Sequence, residues 1–98
     1  TLEYNGLLCN LGTNEVSYQG QLLPIQGKEF ELLLYFLQNR NIILTKEQIF
    51  DRIWGFDSET TLTVVEVYMS NLRKHLRQTE IDKEIRTLRN VGYIMQGA

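Results

Sequence analysis

The chain predicts an α+β fold, on three observations. Residues 1–25 alternate short apolar runs with turn residues, the pattern of antiparallel strands. From Lys28 onward apolar residues recur at helical spacing in three successive stretches. After Glu84 two short β-favouring runs, Ile85 to Leu88 and Tyr93 to Met95, flank the turn residues Arg89-Asn90-Val91-Gly92, which is the pattern of a hairpin.

The opening meander reads as strands Leu2 to Tyr4, Leu7 to Asn10, Glu15 to Tyr18 and Gln21 to Ile25, punctuated by Asn5-Gly6, Gly12-Thr13-Asn14 and Gln19-Gly20. Pro24, which has no N–H to give a ladder, suits the end or edge of the last strand. The first helix starts at Lys28, carries a stripe of Phe30, Leu33, Leu34 and Leu37, and ends around Asn39 to Asn41. The second is announced locally: Thr45 caps it, Gln48 completes a capping box, and Leu44 is placed to staple against Ile49. Ile49, Phe50, Ile53 and Trp54 give it an apolar side, and Gly55 stops it. Gly55 to Thr61 is a polar loop. The third helix runs to Leu76, with Thr61 or Thr63 as its cap. A charged stretch to about Glu84 separates it from the hairpin.

Ninety-eight residues, 43% of them hydrophobic and only one a proline, describe one ordered domain with a single core. Apolar runs such as Leu32-Leu33-Leu34-Tyr35-Phe36-Leu37 are too short to span a bilayer, and the amino terminus lacks a basic-then-apolar signal pattern, so a cytoplasmic location with no membrane partner is expected. Cys9 is the one cysteine and has apolar neighbours, which reads as a buried, reduced thiol. His75 stands alone in sequence. With no cluster of ligating residues at metal spacing, neither metal nor cofactor is expected.

The net charge of −2 argues against a protein that merely coats nucleic acid. Its distribution tells more. Residues 73–89 hold six bases, Arg73, Lys74, Arg77, Lys83, Arg86 and Arg89, against three acids, whereas residues 1–44 hold four acids and two bases. Positive charge therefore collects beside the third helix and the hairpin.

That helix has two unlike sides. Val65, Met69, Leu72 and Leu76 line one, while Val67, Ser70, Asn71 and Lys74 point the other way. A hydroxyl, an amide, an ammonium and an exposed methyl-bearing residue are the assortment that reads base edges in a major groove. Val67 fits a thymine methyl or is a plain surface valine; Asn71 is a bidentate adenine reader or a solvated amide. Trp54 is expected to bury its ring and leave its indole N–H available. Helix, loop, helix and a basic hairpin with Arg89 at its tip form the winged helix-turn-helix plan, whose later helix enters the major groove. Double-stranded DNA is the expected partner. Catalysis is not expected: the sequence lacks a nucleophile paired with a base, and a phosphate-cradling glycine loop, and Asp57 and Glu59 read as an exposed loop. The acidic balance keeps a second reading open, a winged-fold module that binds polymerase or another protein with little DNA affinity of its own.

Four blocks in order then resemble a known family. They are Ile25-Gln26-Gly27-Lys28-Glu29-Phe30-Glu31-Leu32-Leu33; Leu44-Thr45-Lys46-Glu47-Gln48-Ile49 with Ile53-Trp54-Gly55; Val65-Glu66-Val67-Tyr68-Met69-Ser70-Asn71-Leu72-Arg73-Lys74-His75-Leu76; and Thr87-Leu88-Arg89-Asn90-Val91-Gly92-Tyr93. Together they resemble the carboxy-terminal effector domain of OmpR/PhoB-type response regulators of bacterial two-component systems, over nearly the whole chain. The Trp-Gly-Phe-Asp and Val-Val-Glu-Val-Tyr stretches are similar to the CiaR-like branch. The resemblance implies a receiver domain outside this chain, phosphorylated by a sensor histidine kinase, whose dimerisation brings two effector domains onto direct-repeat promoter sites. The isolated domain would then bind as a weak monomer, or cooperatively on tandem half-sites.

Residue by residue, the resemblance implies phosphate contact by Trp54, Thr87 and Tyr93, minor-groove contact by Arg89, base reading at Asn71, and backbone contact by Arg73 and Lys74. Glu66 matches an acidic residue that orients neighbouring bases. The loop Phe56-Asp57-Ser58-Glu59-Thr60-Thr61-Leu62 matches a segment that can touch RNA polymerase. Several positions depart from the family pattern. Thr63, at a backbone-contacting position, replaces a phosphate-gripping arginine, and Asn71 replaces a base. Each lost phosphate contact is expected to flatten the salt slope by roughly 0.9. Tyr68 replaces a commoner His, Gln26 a capping Thr, and Asn90 a wing-tip Gly, which a left-handed Asn tolerates.

Overall fold

A computed structural model describes residues 1–55 and 59–97. Strands β1 (Leu2–Tyr4), β2 (Leu7–Asn10), β3 (Glu15–Tyr18) and β4 (Gln21–Leu22) form an antiparallel sheet in chain order. Asn5 and Gly6 between β1 and β2 both have positive φ, 47° and 88°, the geometry that matches a two-residue hairpin turn to strand twist. The last strand is shorter than its sequence suggests. Leu23 still donates to the Val16 carbonyl at 2.8 Å, but the chain then turns at Pro24, which cannot extend the ladder.

Helix α1 (Lys28–Gln38) follows, and its buried side is broader than the predicted stripe: Leu32 and Phe36 are fully buried, whereas Leu34 is only half-buried. The chain then adds an element that the sequence reading missed, β5 (Leu44–Thr45), before α2 (Lys46–Ile53). The capping box of α2 is present in both directions: the Gln48 N–H donates to Thr45 Oγ1 at 3.1 Å, and the Thr45 N–H donates to Gln48 Oε1 at 2.9 Å. Lys28 Nζ donates to the Ile53 carbonyl at 2.8 Å, satisfying one of the orphan acceptors at the far end of α2, and Gly55 turns the chain away with φ 78°.

Helix α3 (Thr63–Leu76) starts without the hydroxyl cap expected from Thr61 or Thr63. Leu62 is itself in a helical conformation, φ −56° and ψ −23°. The carbonyls of Thr61 and Leu62 accept from Val64 and Val65 at 3.0 Å each, so the helix is entered through a tight turn. Its inward side, Val65, Met69, Leu72 and Leu76, is buried as predicted, in one core with Phe30, Leu33 and Phe36 of α1 and Ile49 of α2.

The charged stretch after α3 is two 3-10 turns, Arg77–Thr79 and Ile81–Glu84, not plain loop. Ile81, which opens the second, is buried, and the Thr79 hydroxyl donates to the Leu76 carbonyl at 2.6 Å. The hairpin is β6 (Ile85–Leu88) and β7 (Gly92–Met95), with Asn90 left-handed at φ 63°. Gly92 opens β7 instead of closing the turn. β5 pairs with β7, Leu44 opposite Tyr93 and Thr45 opposite Gly92, so the second sheet has the order β5-β7-β6. A Cβ on Gly92 would lie 2.3 Å from the Leu44 carbonyl oxygen and 2.7 Å from the Thr45 Cα; only glycine lets those backbones approach.

Cys9 and Glu29 are buried in this frame. Cys9 is fully buried in β2, and desolvation pushes its thiol up to about 11. His75, alone in sequence, is not alone in space: its Nδ1 lies 2.5 Å from Oε2 of the buried Glu29, tying the end of α3 to the start of α1.

Candidate nucleic-acid interface

The core face of α3 fixes which of its residues remain outside. Thr63, Glu66, Val67, Ser70, Asn71 and Lys74 are all exposed, and Val67 keeps 52% of its surface. All four sequence-predicted base readers therefore share one solvent-facing side. Arg73 stands at the border of that side and is only half-exposed. Its guanidinium Nη2 donates to Thr87 Oγ1 at 2.8 Å and to the Ile85 carbonyl at 3.1 Å, and lies over the Tyr93 ring, 5.5 Å from the centroid. Three predicted backbone or wing residues, Arg73, Thr87 and Tyr93, thus meet at the seam between α3 and the hairpin. Tyr93 is buried, which raises its hydroxyl above the ordinary tyrosine range, and Thr87 remains exposed.

Trp54 closes α2 half-buried, as its double role requires. It stacks on Phe50 at 6.0 Å between centroids and meets Tyr68 of α3 edge-on at 5.1 Å. Tyr68 thereby serves as an aromatic brace between the two helices of the helix-turn-helix. Arg89 is exposed at the hairpin turn beside Asn90, where the Val91 N–H donates to the Leu88 carbonyl at 2.9 Å. Glu59, Thr60, Thr61 and Leu62 are exposed ahead of α3, whereas Phe56, Asp57 and Ser58 lie outside the described residues.

One residue of this surface escaped the sequence reading. Lys46 Nζ, from the first turn of α2, donates to Glu66 Oε1 at 3.0 Å. That hydrogen bond holds the Lys46 ammonium above its usual range. The capping motif located Lys46 on its helix, but nothing in the sequence links it to a partner twenty residues away. Among the described residues no group of His, Cys, Asp and Glu could hold a metal ion, and no helix is long and apolar enough to cross a membrane.

Residues 20–95 match the family described as transcriptional regulatory protein, C terminal. The chain belongs to that family, the OmpR/PhoB-type effector domains. It is 53% identical over 96 residues to the transcriptional regulatory protein CiaR of Streptococcus pneumoniae, a match covering 98% of this chain and 43% of that protein. It is 38% identical over 95 residues to the response regulator ArlR of Staphylococcus haemolyticus, covering 97% and 43%. The effector domain therefore spans less than half the length of these relatives. Among solved structures, the DNA-binding domain of CpxR from E. coli superposes with a TM-score of 0.84 at 31% identity, over 99% of this chain and 96% of that one. The DNA-binding domain of Bacillus subtilis CssR does so with 0.80 at 28%, over 91% and 98%. The predicted winged-helix class and the CiaR-like similarity are both borne out, and the family is one of transcriptional regulators, not of enzymes.

Proposed function

We propose that this chain binds double-stranded DNA sequence-specifically and controls transcription as the output domain of a two-component response regulator. The observation that carries the reading is the junction at Arg73. It holds the wing against α3 while Val67, Ser70, Asn71 and Lys74 stay open to solvent. On this reading α3 lies in the major groove with those four residues at base edges and Glu66 ordering the charges around them. Trp54, Thr63, Arg73, Thr87 and Tyr93 face the phosphate backbone, and Arg89 reaches the minor groove.

The relatives' greater length and the name response regulator support a wider reading of the whole protein. A receiver domain phosphorylated by a sensor histidine kinase dimerises and places two such domains on a direct repeat, in the cytoplasm. The chain described here forms a single domain and acts alone as a monomer, and the segment 56–62 contacts RNA polymerase. Fluorescence anisotropy tests the reading, with duplexes selected from a random library compared against scrambled ones at several salt concentrations. The selected duplexes are expected to bind more tightly, each mismatched pair costing about 1–3 kcal/mol. Undetectable binding at low salt, even on a tandem site, would leave the protein-interaction module as the better account of an acidic winged domain.

A further inference from the structure

The first ten residues of α3, Thr63 to Leu72, contain no lysine or arginine and one carboxylate, Glu66. The amino-terminal part of a recognition helix is the part that approaches bases most closely. If α3 docks as proposed above, on which reading this inference rests, that stretch brings only negative charge toward a polyanion. Among the described residues the cation that pairs with Glu66 comes from another helix: Lys46, 3.0 Å away, with its side chain 39% exposed. Helix stability does not explain a lysine there, because Lys46 is the first residue of α2, and a cation is disfavoured at that end of the macrodipole. β5, immediately before Lys46, pairs with the wing strand at Tyr93 and Gly92, so the ammonium stands where α2, α3 and the root of the wing converge.

We propose that Lys46 is a backbone-contacting residue that bridges Glu66 and a DNA phosphate, supplying from α2 the positive charge that the first ten residues of α3 lack. An ammonium has three N–H donors. Glu66 takes one, fixing the direction of the side chain, and the others remain for phosphate oxygens. Glu66 is in turn neutralised where an uncompensated carboxylate would repel the duplex. A base missing at residue 63 in sequence is thereby replaced in space by one at residue 46.

The test is the salt dependence of duplex binding by Lys46→Met, Lys46→Arg and Glu66→Gln. Loss of one phosphate contact lowers the slope of log K against log salt by about 0.9. The Met variant should therefore lose affinity for selected and scrambled duplexes alike. Its affinity drop between about 50 and 200 mM salt should be roughly 3.5-fold smaller than that of the wild type. Lys46→Arg should keep the wild-type slope, and Glu66→Gln should keep it while raising affinity for all duplexes. Should the Met variant melt early, Lys46→Gln gives the same reading. An unchanged slope in a folded Met or Gln variant overturns the proposal and leaves the DNA-binding reading intact. A wild-type chain that binds no duplex overturns both.

Discussion

Asn71 illustrates how much one side chain can decide on the exposed side of α3. Its amide has a donor and an acceptor that match the N6 and N7 edge of adenine, and its neighbours Ser70 and Lys74 are equally open. Asn71→Ala should therefore erase preference at one base pair, about 1–3 kcal/mol, while scrambled-duplex affinity stays near the wild-type value. A panel of single-pair variants of the selected site measures this; an equal loss on every duplex would assign Asn71 to the backbone instead. Arg73 behaves differently because its guanidinium is already committed to Thr87 and the Ile85 carbonyl. A basic side chain near the wing could be read from the sequence, but not that the wing would hold it. What was legible at this scale was the side of the helix each residue occupies, set by 3.6-residue spacing. Pairings across long sequence separations, Lys46 with Glu66 and His75 with Glu29, leave no periodic trace.

Elements were legible in proportion to how local their signals are. The start of α2 could be placed to the residue because Thr45 and Gln48 lie three apart and satisfy each other's backbone N–H. Thr45→Ala removes the hydroxyl half of that exchange and should destabilise the fold by about 1 kcal/mol, seen as a lower denaturation midpoint with an unchanged slope. A midpoint equal to the wild type would mean that packing of Ile49 and Ile53 alone sets where α2 begins. At α3 the same reasoning misplaced the cap, since a threonine on either side of Leu62 cannot reveal that Leu62 has already turned helical. β5 was invisible for another reason: two residues show no alternation, and its existence depends on a strand almost fifty residues later. The shortened β4 and the 3-10 turns after Leu76 belong with it, being set by where the chain must go next.

At the scale of the molecule the acidic sum and the basic neighbourhood of α3 are compatible because charge acts by position. Four of the acids, Glu3, Glu15, Glu29 and Glu31, belong to the meander and α1, and the carboxy-terminal bases Lys74, Arg77 and Arg89 stay exposed. The union of β5 with β7 has a mechanical consequence. Leu44 and Thr45 join the scaffold of α2 directly to the wing strand, and Gly92 lets their backbones touch with no side chain between them. If α3 reads the duplex as proposed, helix and wing present a fixed caliper. A duplex gripped at both points must supply the compliance itself, through groove width and bending, so base pairs that no side chain reaches would still matter. Exchanging a stiff A-tract for a flexible TA step between the two contact points, with the contacted bases held constant, should shift affinity several-fold, on the order of 1 kcal/mol. Identical titration curves for the two duplexes would mean that the caliper flexes.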